Sequence, residues 1–462
     1  MTAGWIIVVD IGKSFAKASL WNESLHCVAQ RTRANSRLES AGRSTLDFTG
    51  IELWLREILH EFAKMGPVSA IVPVAHGAAM TLIGNGQLLE APLDYEWAGV
   101  GAQRAAYEPQ RDPFVATGSP ALPAGLNLGM QLHWLESIGS TGAMRGQIVP
   151  WAQYWAWVLS GVPAAEVTSL GCHTDLWRPH DHRPSELAVR RGWAERFAPM
   201  ANAGAVLGTL KPAWVDTTGL SPDVEVYCGM HDSNAALLNA RSHPDVKGRD
   251  ATILSTGTWF VAMRTPVANS GRAAIGVPEA RDCLLNVDIA GTPIPSARFM
   301  GGREIELLAG SDAPLHDDDA YSAAIRAVEA GDMILPSYAP GVGPYPKAPV
   351  REASPPSPRD DAMVKALLYA ALLADASLDL IGSCDTVVVD GRFSRAPIFV
   401  QALANLRIKT RIAVSSDEQG VAHGALQLLK PGRHEPLKTI SPLPVDMSAY
   451  RERWRDAAEH AG

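Results

Sequence analysis

At 462 residues, with 47% hydrophobic and 19% charged side chains, the chain exceeds what one hydrophobic core usually holds, so two domains are expected, each with its own core. The 41 Lys and Arg against 49 Asp and Glu leave a net charge of −8, which argues against nucleic acid or an acidic membrane surface as the main partner and for a small ligand. Cys27, Cys172, Cys228, Cys283 and Cys384 show no Cys-x-x-Cys spacing, the start carries no basic leader, and no segment approaches roughly 18 apolar residues; a reducing cytoplasm is the expected setting.

Residues 5 to 10 read as a buried strand, Ile11 to Ser14 as a tight turn and Phe15 to Trp21 as a second strand, a hairpin with glycine at its tip. Helix-like stretches follow over Gly50 to Met65, Gly129 to Glu136 and Trp151 to Ser160. The run from Cys228 to Ala236 turns from strand-like to helix-like at Asp232. Breakers and polar residues in Arg241 to Gly248 mark a domain boundary. From Ala251 to Met263 the opening pattern recurs, with Ser255-Thr256-Gly257-Thr258 at its tip, and this weak internal repeat suggests two similar halves. A helix over Asp361 to Ile381, led by Pro358, runs into the strand Thr386 to Val389. Pro336 to Pro358 and Lys430 to Pro444 read as exposed loops, and Met447 to His460 as a charged terminal helix.

Glycine at a hairpin tip lets backbone N–H groups face an anion without a Cβ in the way, so both tips are candidate phosphate cradles. A glycine turn taken singly is merely a turn. Gly12-Lys13-Ser14 mimics the end of a P-loop, but that motif requires glycine where Ile7 stands, which removes a P-loop kinase. Asp10, at the end of a buried strand, reads either as a turn residue or as a carboxylate for hydrated Mg²⁺. Asp232 reads either as a helix cap or as a base that takes a proton from an alcohol. Trp151, Tyr154, Trp155 and Trp157 have helical spacing and belong to a core rather than to a sugar-stacking platform.

The three segments Val8 to Ser14, Cys228 to Ala236 and Leu254 to Trp259 resemble the FGGY family of carbohydrate kinases, and the resemblance extends over most of the chain to about Leu429. Asp232 matches the aspartate of the family's Gly-x-His-Asp-like motif, its general base. Asp10-Ile11-Gly12-Lys13 looks like the first phosphate motif, with Lys13 in place of a small hydroxyl residue, and Ser255 to Trp259 looks like the second. Phe114 to Gly118, Tyr154 to Gly161 and Glu166 to Ser169 are similar to connecting segments; Gln401 to Asn405 and Glu418 to Ala425 are similar to late helices. Val389 to Arg395 stands where relatives carry consecutive glycines against adenosine, and it departs from that pattern: Arg392 and Phe393 fill the space, which suggests a cation-π or stacking contact to the base or an altered nucleotide preference.

The resemblance implies an α/β fold of two actin-like (ribonuclease H-like) domains with ATP and sugar in the interdomain cleft, divided as residues 1–243, 244–430 and a terminal loop and helix over 431–462. It implies Asp232 as catalytic base, with Asp10 and Asp232 serving Mg²⁺. ATP or phosphate contacts fall on Gly12, Lys13, Ser14, Thr256, Gly257, Thr258, Gly302, Gly391, Arg392, Ser394 and Arg395. Sugar contacts fall on His76, Gly77, Asp94, His231 and Asp232. The Gly-Thr-Trp and His-Asp features look most like the rhamnulose and fuculose kinase branch, so a ketose or deoxyketose leads, with ribulose, erythrulose, xylulose and glycerol open. The expected partners are sugar and ATP, with a homodimer allowed. An actin-like ATP-binding regulator, or a homologue that binds sugar without turning it over, is the alternative.

Overall fold

The opening strand is apolar on both faces because both faces are covered. In the computed structural model, which describes residues 4–40, 42–267, 276–311, 315, 319–351, 361–432 and 434–460, β1 (Trp5–Ile11) turns antiparallel into β2 (Phe15–Trp21), with β3 (Cys27–Ala34) beyond it. On the other side β1 lies parallel to β4 (Val68–Ala75), which also takes β6 (Glu225–Tyr227) and the two-residue β7 (Met230–His231) in parallel; β5 (Val206–Thr209) closes that edge. Buried on the sheet is α1 (Phe48–Ala63), whose Ile51, Leu55, Ile58, Leu59 and Phe62 fall at helical spacing. The Asp47 carboxylate caps it by accepting the Gly50 N–H at 2.9 Å. Also buried here is α2 (Trp151–Ser160), stopped by left-handed Gly161, whose N–H returns to the Trp157 carbonyl.

The second sheet repeats the theme. Its hairpin β8 (Ala251–Thr256) and β9 (Phe260–Thr265) is antiparallel, β8 lies parallel to β12 (Thr386–Gly391), and the strand order is β10-β11-β9-β8-β12-β13-β14, with β10 at Cys283–Val287, β11 at Pro293–Phe299, β13 at Arg411–Val414 and β14 at Lys438–Thr439. Against it lie α4 (Gly301–Ala309), α5 (Ala362–Leu380) and α6 (Pro397–Leu406), and α8 (Ser448–His460) packs on α5, Trp454 meeting Tyr369 edge to face at 6.4 Å. The expected hairpins, and the helices expected over 50–65, 129–136, 151–160, 361–381 and 447–460, form within a residue or two at their ends, whereas no helix was expected at α4.

The chain forms two compact units that are not consecutive in sequence: 1–242, 285–293 and 419–433 make one, and 243–284, 294–418 and 434–462 the other. One reason is a helix contact within the first unit. The helix α3 (Asp232–Ser242) meets α7 (Gly420–Gln427) so closely that a Cβ on Gly424 would lie 1.8 Å from the Ala235 carbonyl oxygen. Glycine alone permits that crossing.

The first proline-rich loop corrects the expectation of exposure, whereas the second is exposed at most of its described residues and buries only Leu443. Ser337, Ala339, Tyr345 and Ala348 are buried, Tyr345 meeting Trp454 of α8 edge to face at 5.4 Å, and buried Leu443 donates its N–H to the Gln401 carbonyl of α6 at 3.0 Å. Apolar side chains inside polar segments find partners that lie far away in sequence. Pro358 and the rest of 352–360, with Arg433, lie outside the described residues.

Candidate active site

In the first unit three parallel strands end side by side. Register pairs Asp10 with Val74 and Ile11 with Ala75, and His231 with Ala75 from the other side, so Asp10, His76 and Asp232 gather at the carboxyl ends of β1, β4 and β7. That edge is where open α/β sheets bind ligands.

Asp232 is the first residue of α3, with its side chain 27% exposed. Its Oδ1 accepts from the Ser233 N–H at 2.5 Å and the Ser233 hydroxyl at 3.2 Å. A capping bond would go to the second or third helical amide instead, so the helix-cap role does not describe this carboxylate. Burial, and then the negative charge of Asp232, push the Asp10 carboxyl up to about 7, against the pull of Lys17. These two carboxylates therefore share one electrostatic site.

Hydrogen bonds at Nδ1 orient both histidine rings. His76 Nδ1 lies 2.7 Å from the Gly77 carbonyl, which can only accept, so Nδ1 carries the proton and Nε2 is bare; burial lowers this imidazole to about 4 and keeps it neutral. Asn234 donates its amide to the Val287 carbonyl, which turns its oxygen toward His231 Nδ1 at 2.8 Å. His231 Nε2 then faces Asp232 Oδ1 at 3.3 Å. Gly77 makes room for that ring: a Cβ there would stand 2.8 Å from His231 Nε2. The connector Glu166 to Ser169 supports the same segment, since the Thr168 hydroxyl accepts the His231 N–H at 3.1 Å and in turn donates to Glu166 at 2.5 Å. Asn234 and Glu166 are the residues that sequence reasoning missed here; Asn234 stood one helical turn beyond His231, which was the available signal.

Lys13 and Asp94 were expected in different sites and are ion-paired instead. Asp94 is fully buried, accepts the Glu96 N–H at 2.9 Å, and has Arg37 Nε at 3.3 Å. The Lys13 ammonium also lies over the Tyr95 ring at 4.7 Å. At the tip, the Gly12 N–H closes the hairpin on the Phe15 carbonyl at 2.9 Å, and Ser14 is exposed. A cavity of about 200 Å³ opens here, lined among others by Lys13, Arg37, Glu96, His76 and Trp151. The Trp151 cluster is buried as expected, yet the Trp151 indole N–H has no hydrogen-bond acceptor.

In the second unit the tip Gly257 N–H bonds the Trp259 carbonyl at 3.0 Å, and Thr258 is exposed. Thr256 is committed elsewhere: its hydroxyl donates to the Asp390 carbonyl at 2.5 Å and accepts the Phe393 N–H at 3.0 Å, stapling the tip to the segment after β12. Gly302, near the start of α4, allows close approach, since its Cβ would fall 2.0 Å from the Gly257 carbonyl oxygen. Left-handed Gly391 likewise has no room, with Thr256 O at 2.3 Å. A cavity of about 370 Å³ is lined by Gly391, Arg392, Ser394 and Arg395 together with 415–418. Burial, helped by Asp417, raises Asp390 on its wall to about 6. Phe393 requires a correction. It is 1% exposed and packs on Phe260 at 5.2 Å, so it cannot stack on a base; the strand-side aromatic core claimed it. Arg392 stays at the rim, reaching Glu306 at 3.3 Å.

Among the described residues no helix is long and apolar enough to cross a membrane. Residues 248–436 match the family model described as carbohydrate kinase FGGY, C-terminal domain. The chain is similar to a carbohydrate kinase from Novosphingobium aromaticivorans, with 46% identity over 98% of this chain and 100% of that one and a TM-score of 0.91. A xylulose kinase from Lactobacillus acidophilus (14% identity, 99% and 97% covered, TM-score 0.77) and a glycerol kinase from Plasmodium falciparum (14%, 99% and 98%, 0.76) share the fold. Nearly full-length identity of that order with a carbohydrate kinase, joined to the family-model match and two sheet units each opening on a glycine-tipped hairpin, places the chain in the FGGY family of carbohydrate kinases, phosphotransferases with an alcohol as acceptor.

Proposed function

We propose that this chain transfers the γ-phosphoryl group of ATP to a hydroxyl of a ketose or deoxyketose, with Asp232 as the base. The observation that carries the reading is the Asp232 carboxylate itself: it sits at the carboxyl edge of three parallel strands, partly exposed and not spent on capping its helix. In the reaction Asp232 takes the hydroxyl proton, the sugar oxygen forms the new bond to phosphorus, and ADP leaves with the electron pair of the broken bond. Most of the rate comes from positioning and charge stabilisation. Ser14 at one tip, and Thr258 and Gly302 at the other, offer hydroxyls and backbone N–H groups to phosphate oxygens, while Gly12 and Gly257, whose own N–H groups close the turns, keep the approach clear of side chains. Arg392, Ser394 and Arg395 border the cavity that we assign to the nucleoside.

Mg²⁺ fits Asp10 and Asp232. Asp232 raises the cost of ionising Asp10, a cost that a divalent cation relieves, and Mg²⁺ ordinarily takes only one or two carboxylates, completing its shell with water and phosphate oxygens. When bound it would neutralise charge on the transferring phosphoryl group. Among the described residues no cluster of three or more ligand side chains exists, which suits this sparse mode. Sugar and ATP are the partners of this reading, and the cytoplasm its setting.

The test is ADP release from MgATP against a panel of ketoses, aldoses and polyols. Acceptor-dependent release is expected, highest with a ketose. Release with no acceptor in the panel would return the chain to the ATP-binding regulator reading.

A further inference from the structure

The helix Leu128–Ser137 is buried along most of its length, and its first turn carries an uncharged polar side chain, Gln131, that is only 1% exposed. Both hydrogens of this amide are spent on backbone: Nε2 donates to the Ala78 carbonyl at 2.8 Å and to the Gly125 carbonyl at 2.6 Å. Carbonyls only accept, so the amide stands one way round, with its oxygen buried and without a partner. A side chain that leaves its own acceptor unpaired in order to bond two loops fixes the separation of those loops.

Neither loop has a strand or helix to hold it, and each contains an alanine in the left-handed region, Ala78 at φ 58° and Ala124 at φ 48°. A residue with a Cβ is strained there, and such a conformation persists where the surroundings over-determine it. Both loops lead to the candidate site. Ala78 follows His76 and Gly77 beyond the end of β4, while Gly125 donates its N–H to the Tyr95 carbonyl at 2.9 Å and lies so close that a Cβ on it would stand 3.3 Å from the Tyr95 Cα. The rings of His76 and Tyr95 then meet edge to face at 5.5 Å. One amide thus closes a circuit of contacts that runs from His76 through Ala78, Gln131 and Gly125 to Tyr95 and back. Burial raises the Tyr95 phenol and the charges of Glu96, Asp232 and Asp94 raise it further, so its ring lies within the field of the proposed base.

We propose that Gln131 is a positioning residue for the acceptor: by holding Ala78 against Gly125 it sets the spacing of His76, which lines the cavity of the first unit, and Tyr95 beside it. The proposal rests on the kinase reading and adds to it a residue that touches no substrate. Every group in the circuit belongs to the first unit, so the effect falls on the acceptor and spares the nucleotide segments of the second.

The test measures kcat and KM, for ATP and for the best acceptor of the panel, in the parent and in Gln131→Met and Gln131→Asn. The first variant has a comparable length but no donor; the second keeps the amide but is one methylene shorter and does not span both carbonyls. In each, kcat/KM for the acceptor should fall by about 10- to 100-fold through a raised KM, while KM for ATP stays within about twofold. A merely structural role would lower the folded fraction and leave both KM values alone. Should Gln131→Met not fold, it is compared with Ala78→Gly in an Ala78→Gly background, where glycine adopts φ 58° without strain, and the same acceptor loss is expected. An acceptor KM that holds in these variants, or a loss that falls equally on ATP, overturns the proposal and leaves the kinase intact. No acceptor-dependent ADP release from the parent overturns the kinase reading and this proposal with it.

Discussion

The two glycine-tipped hairpins have nearly the same backbone and opposite chemistry. Asp10-Ile11-Gly12 occupies the position in the first that Ser255-Thr256-Gly257 occupies in the second; each leading strand has an antiparallel partner on one side and a parallel one on the other, and each tip closes with a glycine N–H bond of 2.9 to 3.0 Å. The first tip is surrounded by charge: Asp10, Asp232, and the Lys13, Asp94, Arg37 and Glu96 network. Around the second, contacts are backbone against backbone, with Gly302 and Gly391 leaving no space and Thr256 stapling the neighbouring loop. On the reading proposed above, one supersecondary unit serves two purposes. Proton and metal chemistry needs side-chain charge, whereas holding a phosphate chain needs close approach of N–H groups, which side chains obstruct.

The largest test of that contrast is Asp232→Asn. It should keep acceptor binding but lose about 10²- to 10⁴-fold in kcat, the range for removal of a general base; near-parental turnover would return this carboxylate to a structural role. Next comes Gly302→Ala, where the added methyl meets backbone that cannot step aside. A loss of roughly 1–3 kcal/mol in unfolding free energy is expected, with a raised KM for ATP. Gly12→Ala, whose Cβ would meet the Phe15 carbonyl at 2.9 Å, should cost less. Equal losses at the two glycines, read by urea unfolding, would erase the distinction between the tips.

Glu304, beside Gly302 on α4, supplies a pH test within the second unit. Burial raises its carboxyl from 4.5 to about 7, opposed by the bond from the Tyr369 hydroxyl. A carboxyl whose folded pKa lies above its unfolded one contributes stability that is complete below about 4.5 and lost as pH rises through about 7. Glu304→Gln should therefore flatten the fall in stability between pH 5 and 8, by roughly 2–3 kcal/mol. An unchanged pH profile would show that the raised carboxyl is not coupled to folding. The smallest expected effect is that of Asp10→Asn. The Mg²⁺ concentration for half-maximal rate should rise about tenfold, a 1.4 kcal/mol change, while the melting temperature at pH 8 holds or increases, because the variant no longer carries a buried negative charge beside Asp232. A metal titration superimposable on that of the parent would remove Asp10 from the metal site.

Much of the local structure was legible. Apolar runs broken by glycine identify both hairpins, and helical spacing identifies α1, α2 and α5, because strand and helix periods are properties of neighbouring residues. The family was legible in three short motifs for a related reason: a glycine tip and an aspartate at a strand-to-helix change are each local solutions to a chemical demand. Where two distant segments compete for one side chain, that legibility ends. Lys13 reads as a phosphate ligand at a tip, yet Asp94, eighty-one residues away, holds it. Phe393 reads as an obstacle in a nucleotide loop, yet Phe260 and the surrounding aromatic core bury it.

What the sequence determined by itself is the identity of the candidate groups and part of what carries them: Asp10, His231 and Asp232 lie where the residue pattern shows a strand to end, whereas His76 was reached through the family resemblance. The orientation of each histidine ring, the neutralisation of Lys13 and Arg37, and the return of 285–293 and 419–433 to the first unit were decided only in three dimensions. The physical reason is range. Backbone periodicity is set within a few residues, whereas hydrogen-bond direction, desolvation and ion pairing depend on whichever group folding brings within about 3 Å, and the Val287 carbonyl that orients Asn234 comes from fifty-three residues further along the chain.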